Sequence, residues 1–128
     1  PLDTLYTNRR YTKVRREHYE TVVEGMRAAV TGGTCRAANL PGLDVCGKTG
    51  TAQNRGKDHS AFMGFAPMND PKIAVSVYVE NGGWGATYGV PIGALIIEKY
   101  LNGELSPQSE LKANDIQNRR IDYGIHER

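Results

Sequence analysis

Two apolar segments joined by a strong turn constrain the fold of this chain more than any other feature. Residues 60–67 contain a short continuous apolar run, which is typical of a strand covered on both faces. Residues 72–80 carry aliphatic side chains at every second position, which is the period of a strand. Asn69, Asp70 and Pro71 stand between them and favour a tight turn. The sequence therefore predicts an antiparallel hairpin.

Two helices and a further strand are predicted around this hairpin. Residues 17–31 have apolar side chains at helical spacing, and glycines follow at once. Apolar and polar side chains alternate roughly in residues 43–52, which predicts a strand. Residues 87–101 predict a second helix. The predicted apolar face of that helix comprises Tyr88, Ile92, Leu95, Ile96 and Tyr100. The fold class is therefore α+β, with three antiparallel strands flanked by two helices.

Polar segments lie on both sides of this unit. We expect residues 1–16 to be a solvated basic leader and residues 102–128 to be a polar tail, either mobile or an arm that needs a partner. Residues 17–101 lie between them as one structured unit. The chain opens on Pro1 without a signal-peptide pattern, so we expect it to be a piece of a longer protein.

Charge and hydropathy exclude two classes of function. The formal net charge of +2 over 128 residues is too balanced to indicate a nucleic-acid-binding protein. The longest apolar run, residues 90–97, is interrupted by proline and glycine and is much shorter than the ~20 residues that cross a bilayer. We therefore expect no nucleic-acid partner and no membrane span within this chain.

A phosphate-binding loop is one interpretation of the glycine-rich centre. Residues 42–49 match the pattern G-x-x-x-x-G-K-[ST] letter for letter. That loop needs a buried strand before it and a helix after it. Residues 37–41 do not read as a buried strand, and Gly50, Asn54 and Gly56 disfavour a helix. Nucleotide binding is therefore a distant alternative.

The same centre contains Lys48-Thr49-Gly50, the K-T-G element that lies on a strand at the rim of a serine acyl-transfer site. Further segments follow it in order: Asp58-His59-Ser60-Ala61-Phe62, Gly64-Phe65-Ala66-Pro67 and Val79-Glu80-Asn81-Gly82-Gly83. Over about residues 17–101 the succession resembles the C-terminal part of the transpeptidase domain of class B penicillin-binding proteins, in particular the elongation type, penicillin-binding protein 2. The resemblance implies the penicillin-binding transpeptidase and serine β-lactamase-like fold.

The resemblance also implies a reaction without a cofactor. In the family a serine attacks the D-Ala-D-Ala bond of a peptidoglycan stem peptide, and an amine of a neighbouring stem peptide converts the acyl-enzyme into a cross-link. β-Lactams acylate the same serine. The parent protein is then expected on the periplasmic side of the bacterial inner membrane, anchored by an N-terminal segment absent from this chain. Its role would be cell-wall synthesis and the maintenance of cell shape.

Site roles follow from the same resemblance. Lys48 and Thr51 are the implied catalytic residues: Lys48 supplies positive charge to the proton relay, and the Thr51 N–H is one oxyanion donor, a contribution of about 2.7–4 kcal/mol in acyl-transfer enzymes. Thr49, Gly50 and Thr51 are the implied substrate-binding residues. The two hydroxyls would bind the terminal carboxylate, and the bare Gly50 would let the substrate backbone lie close.

The family's other motifs do not match. Ser109-Glu110-Leu111-Lys112 spells the nucleophile pattern S-x-x-K but follows Lys48 and lies in the polar tail. No S-x-N occurs, and Tyr6-Thr7-Asn8 is an accidental imitation of its variant Y-x-N. We therefore expect this chain to lack the nucleophilic serine and to be inactive by itself.

Several alternatives stay open. Cys35 and Cys46 would form a disulfide in a periplasmic protein, or remain separate thiols; no four-ligand spacing indicates a metal site. A serine β-lactamase or a β-lactam sensor would share K-T-G, and a non-catalytic interaction module would use only the strand edge. Strand 72–80 is expected to keep an unpaired edge, which favours a homodimer or pairing with the remainder of the domain.

Overall fold

The computed structural model describes residues 3–123. The described part contains one sheet with the strand order β1-β2-β3, and both neighbouring pairs are antiparallel. This confirms the α+β class and the predicted hairpin. None of the helices in the described residues is long and apolar enough to cross a membrane. The elements are α1 (Thr4–Thr7), α2 (Arg16–Thr31), a 3₁₀ turn (Arg36–Ala38), β1 (Cys46–Ala52), β2 (His59–Ala66), β3 (Ile73–Val79), α3 (Gly89–Asn102) and α4 (Pro107–Asn118).

The two faces of the sheet have different surroundings. The register pairs Thr49 with Phe62 on one face and Lys48 with Met63 on the other. Helix α3 covers the first face, where Gly93 lies directly against the Phe62 ring. The second face is open and borders a cavity of about 280 Å³. The side chains on this open face are those of Lys48, Ala61, Met63, Ser76 and Tyr78, with Gly50 among them.

The second predicted helix is confirmed as α3, but its predicted apolar face is only partly right, since Ile92 alone of that set packs against the core. Ile96 and Tyr100 are exposed, whereas the residues facing the sheet include Gly93, Ala94 and Ile97. The ring of Phe62 fills the space between helix and sheet, so only small helix residues fit opposite it. Close approach of the backbones, rather than the size of the apolar side chains, decides which side of α3 is buried.

Helix α2 and strand β1 are confirmed with different details. The predicted apolar face of α2 is exposed at Tyr19 and Val22, half-buried further along the helix, and fully buried only at Val30 near the C-terminal end. Strand β1 begins at Cys46 rather than at residue 43 because the chain turns before it. Gly42 and Asp44 both have positive φ angles, of 75° and 45°, which a strand does not allow.

The expectation of a mobile, irregular C-terminal tail is wrong for residues 107–118, which form α4. Ser106 caps this helix by accepting a hydrogen bond from the Ser109 N–H at 3.2 Å, and Pro107 occupies its first turn. The Ser106 N–H donates to Glu98 Oε1 of α3 at 3.2 Å, and Glu98 is only 5% exposed. Capping and one buried carboxylate therefore attach α4 to α3. The end of the tail, residues 124–128, lies outside the described residues.

Candidate active site

The K-T-G residues lie on an edge strand. Lys48, Thr49, Gly50 and Thr51 all belong to β1, whose only strand neighbour in the described part of the chain is β2. Alternate peptide groups of an edge strand point away from the sheet and are free to pair with an extended ligand. Because β1 alternates, Lys48 lies on the open face, while Thr49 and Thr51 lie on the face toward α3. A cation and two hydroxyls thus flank one free strand edge.

Lys48 is held close to this edge. Its side chain is exposed, and Nζ donates to the Thr49 carbonyl oxygen at 2.8 Å. It also borders the cavity on the open face together with Met63 and Tyr78. An ammonium group here can attract a carboxylate or exchange a proton with a group brought into the cavity.

Thr49 is supported by the turn that follows α2. Its Oγ1 lies 2.9 Å from Thr34 Oγ1, and either hydroxyl can be the donor. No sequence pattern predicts this contact, because Thr34 lies in a loop fifteen positions earlier without a recognisable motif. The pair leaves each hydroxyl a further lone pair or proton, so Thr49 can still bind a ligand.

The P-loop alternative is contradicted by this geometry. Thr49 is followed by strand residues through Ala52, where a phosphate-binding loop requires the start of a helix.

Neither imitation of the missing motifs lies near Lys48. Ser109 is buried between α3 and α4, where its hydroxyl accepts a hydrogen bond from the Ser106 hydroxyl at 3.0 Å. Lys112 and Ser109 border a cavity beside the 3₁₀ turn and α3, which differs from the cavity that Lys48 borders. Asn8 follows the short helix α1 at the N-terminal end and is exposed. Among the described residues, the structure therefore brings neither of these motif imitations to Lys48.

The cysteines are free and buried in the structure. Burial raises the pKa of the Cys35 thiol, and the opposing effects of Thr34, the Thr49 backbone and the Lys48 charge do not cancel the shift. Burial is also the main cause that raises the pKa of the Cys46 thiol. Both groups therefore favour the neutral thiol, which is the unreactive form.

We expect both thiols to react slowly with a chromogenic disulfide reagent at pH 8 in the folded chain, and at ordinary rates in urea. Since the folded pKa is raised, the free energy of unfolding is unaffected in the acidic range. It should fall as pH rises above about 8.5, the usual thiol value, because the unfolded chain then loses the proton first. Rapid reaction of either thiol in the native chain, or stability that rises over this range, would contradict the burial argument. A matched Cys35→Ala variant isolates the contribution of that thiol.

A loop after β3, residues 80–88, supports the site from the side of α3. The Ser60 hydroxyl is fully buried; it donates to the Trp84 carbonyl oxygen at 2.8 Å and accepts from the Gly89 N–H at 3.0 Å. The His59 Nδ1 accepts from the Asn81 N–H at 3.0 Å. Two adjacent β2 residues thus fasten both ends of the loop. The apolar run that predicted β2 did not single out Ser60.

Comparison with known proteins assigns the chain to a family. Residues 6–101 match the penicillin binding protein transpeptidase domain. Peptidoglycan D,D-transpeptidase PbpA of Mycobacterium tuberculosis is 41% identical over 76 residues, which are 51% of this chain and 15% of that protein. Peptidoglycan D,D-transpeptidase MrdA of Acinetobacter baumannii is 34% identical over 87 residues, 56% of this chain and 13% of that protein.

Solved structures give the same result. Penicillin-binding protein 2 of Pseudomonas aeruginosa is 40% identical with a TM-score of 0.59, over 74% of this chain and 22% of that one. The imipenem acyl-enzyme of penicillin-binding protein A from M. tuberculosis is 33% identical with a TM-score of 0.63, over 72% of this chain and 21% of that one.

The chain spans about a seventh of the length of the curated relatives, 15% of one and 13% of the other. It belongs to the family of penicillin-binding protein transpeptidase domains.

Proposed function

We propose that this chain forms the K-T-G wall of the active site in a serine-type peptidoglycan D,D-transpeptidase. The observation that carries the proposal is the placement of Lys48, Thr49 and Thr51 on the free edge of β1, within a chain of this family. A stem peptide ending in D-Ala-D-Ala is extended and ends in a carboxylate. An edge strand flanked by a cation and hydroxyls suits both properties.

The residues of β1 would act at successive stages of acyl transfer. The Thr49 and Thr51 hydroxyls bind the terminal carboxylate, and Lys48 adds its charge and takes part in proton transfer. When the serine attacks, the carbonyl oxygen becomes negative and the Thr51 N–H donates to it. The C–N bond to the leaving D-Ala then breaks, and the amine of a second stem peptide later displaces the serine oxygen from the acyl carbon.

The serine itself would come from the remainder of the domain. Ser109 is buried in the first turn of α4, where it hydrogen-bonds the capping Ser106, so it does not serve as the nucleophile. We further propose that the edge of β3 opposite β2 pairs with another strand, either from that remainder or from a second copy of this chain. β-Lactams would acylate the same serine. The relative from M. tuberculosis was solved as acyl-enzyme complexes with imipenem, ceftriaxone and penicillin G.

The cellular setting is part of the same proposal. A D,D-transpeptidase cross-links peptidoglycan in the periplasm, so the protein that carries this chain would be held at the bacterial inner membrane by a segment outside these residues. Its contribution to cell shape would follow from cross-linking during elongation.

Labelling with a fluorescent penicillin tests the proposed function. The protein that carries the whole domain is expected to form a covalent adduct that survives denaturation, because its serine is present. The 128-residue chain is expected to remain unlabelled at the same concentration. Prior treatment with unlabelled penicillin should abolish the adduct. A whole protein that does not label would contradict the function, and a labelled 128-residue chain would contradict the absence of a nucleophile.

A further inference from the structure

Arg119, which directly follows α4, joins that helix to the loop before α3. Its Nη1 donates to the Thr87 carbonyl oxygen at 2.9 Å, and its guanidinium lies 5.5 Å from the centre of the Tyr88 ring. Its Nε and Nη2 donate to Asp115 Oδ2 at 3.1 and 2.6 Å. The pair with Asp115 orients the guanidinium plane, which leaves the remaining N–H group directed at the loop.

The loop in turn lies against the K-T-G strand. A methyl group added at Gly85 would lie 2.7 Å from the Gly50 carbonyl oxygen and 2.9 Å from the Thr49 Cβ, and 2.6 Å from the Ala61 carbonyl oxygen of the neighbouring strand β2. The Thr87 N–H donates to the Trp84 carbonyl oxygen at 2.9 Å, so the residue whose carbonyl Arg119 contacts closes the turn that contains Gly85. No flexible side chain separates this turn from β1, and a shift of one requires a shift of the other.

We propose that Arg119 is a positioning residue for the K-T-G strand. It holds the loop of residues 84–88 in contact with Thr49 and Gly50, and it thereby fixes the strand edge at which substrate binds. The family match ends at residue 101, so this support comes from a part of the chain outside the match. The substrate named here rests on the proposed function, whereas the coupling of Arg119 to the strand does not.

The chain supplies a matched control for Arg119. Arg16 makes the same kind of i,i+4 ion pair, with Glu20 at 3.0 Å on α2. The Arg16 side chain is 92% exposed, whereas that of Arg119 is 32% exposed. Ion pairs between exposed side chains contribute little, but a charged donor on a backbone carbonyl contributes more. Arg16→Met therefore controls for loss of a pair without loss of a loop contact.

Hydrogen exchange measured by mass spectrometry on the 128-residue chain tests the proposal. In Arg119→Met, exchange in segments 84–90 and 49–51 should become about tenfold to a hundredfold faster, as expected for loss of one charged hydrogen bond. Exchange in residues 73–78 of β3, on the far side of β2 from β1, should stay unchanged. Arg119→Lys, which keeps the charge without the planar fork, should give an intermediate rate. Arg16→Met should match the wild-type chain.

Each other outcome overturns the proposal. Unchanged exchange in segment 84–90 would show that Arg119 does not hold the loop. Faster exchange in segment 84–90 alone would show that the loop does not position β1, and an equal rise in residues 73–78 of β3 would show a general loss of stability. These results are obtained without substrate. They would stand even if the whole protein failed to label with penicillin, so the two proposals fail separately.

Discussion

Replacing Lys48 by glutamine is expected to slow acylation by a fluorescent penicillin about 10²–10⁴-fold in the protein that carries the whole domain, the range for loss of a positioned proton-transfer group. Glutamine keeps the length and polarity of the side chain but carries neither charge nor a transferable proton. Lys48 is exposed and hydrogen-bonds the adjacent Thr49 carbonyl, so the fold does not depend on it. The measurement is the rate of covalent labelling at several penicillin concentrations.

The control for this variant is Lys72→Gln. Lys72 lies in the turn between β2 and β3, where it pairs with Asp70 at 2.6 Å, and it is exposed. Its loss removes the same charge at a place that does not border the cavity of the open face. The free energy of unfolding of both variants should lie within about 0.5 kcal/mol of that of the unaltered protein. If Lys48→Gln labelled at the unaltered rate, the catalytic role of Lys48 would be excluded.

Phe62→Ala is expected to lower the free energy of unfolding by about 3–5 kcal/mol, because it removes a large buried side chain and leaves a cavity. Phe62 is 2% exposed and lies at the centre of the contact between sheet and helix. A methyl group added at Gly47 would come within 2.5 Å of its ring, and one at Gly64 within 2.6 Å. The pairing of Gly47 with Gly64 in the sheet restrains the surrounding backbone, which limits its collapse into the space. Urea denaturation gives the measurement.

Tyr78→Ala is the matched control for the core. It removes an aromatic residue of the same sheet, but Tyr78 lies on the open face and is 57% exposed. We expect a loss below about 1 kcal/mol. Phe62→Leu, which leaves a smaller cavity, provides a measurable case if the alanine variant does not fold. A loss from Phe62→Leu no larger than that from Tyr78→Ala would show that the ring is not the centre of the core.

Local patterns predicted the parts of the fold that depend on local physics. The alternation in residues 72–80 and the turn at Asn69-Asp70-Pro71 specify a hairpin in any surroundings, and the structure contains it. Lys48, Thr49 and Thr51 were placed on a strand for the same reason. Their chemical roles remain predictions, because they depend on a substrate and on a serine from outside these residues.

Tertiary contacts determine the parts that the sequence did not predict. Gly93 and Ala94 add little to an apolar pattern, yet their small size lets α3 approach Phe62. Helix α4 has few buried residues and depends on its Ser106 cap and on the contact of Ser106 with Glu98 of α3. Nothing in the sequence distinguishes Arg119 from other charged residues. Its role depends on the loop before α3, to which it donates a hydrogen bond.

The attachment of α4 through Glu98 has a consequence for where this unit of the protein can be cut. A version shortened at residue 101 would retain all of the family match. It would also lose the Ser106 N–H, and in the full chain the other carboxylate oxygen of Glu98 is already buried without a partner among the described residues. Shortening would thus expose the Glu98 carboxyl group of α3 to water, and it would also remove the contact that Arg119 makes with the loop. The family match and the packed part of this chain therefore end at different positions.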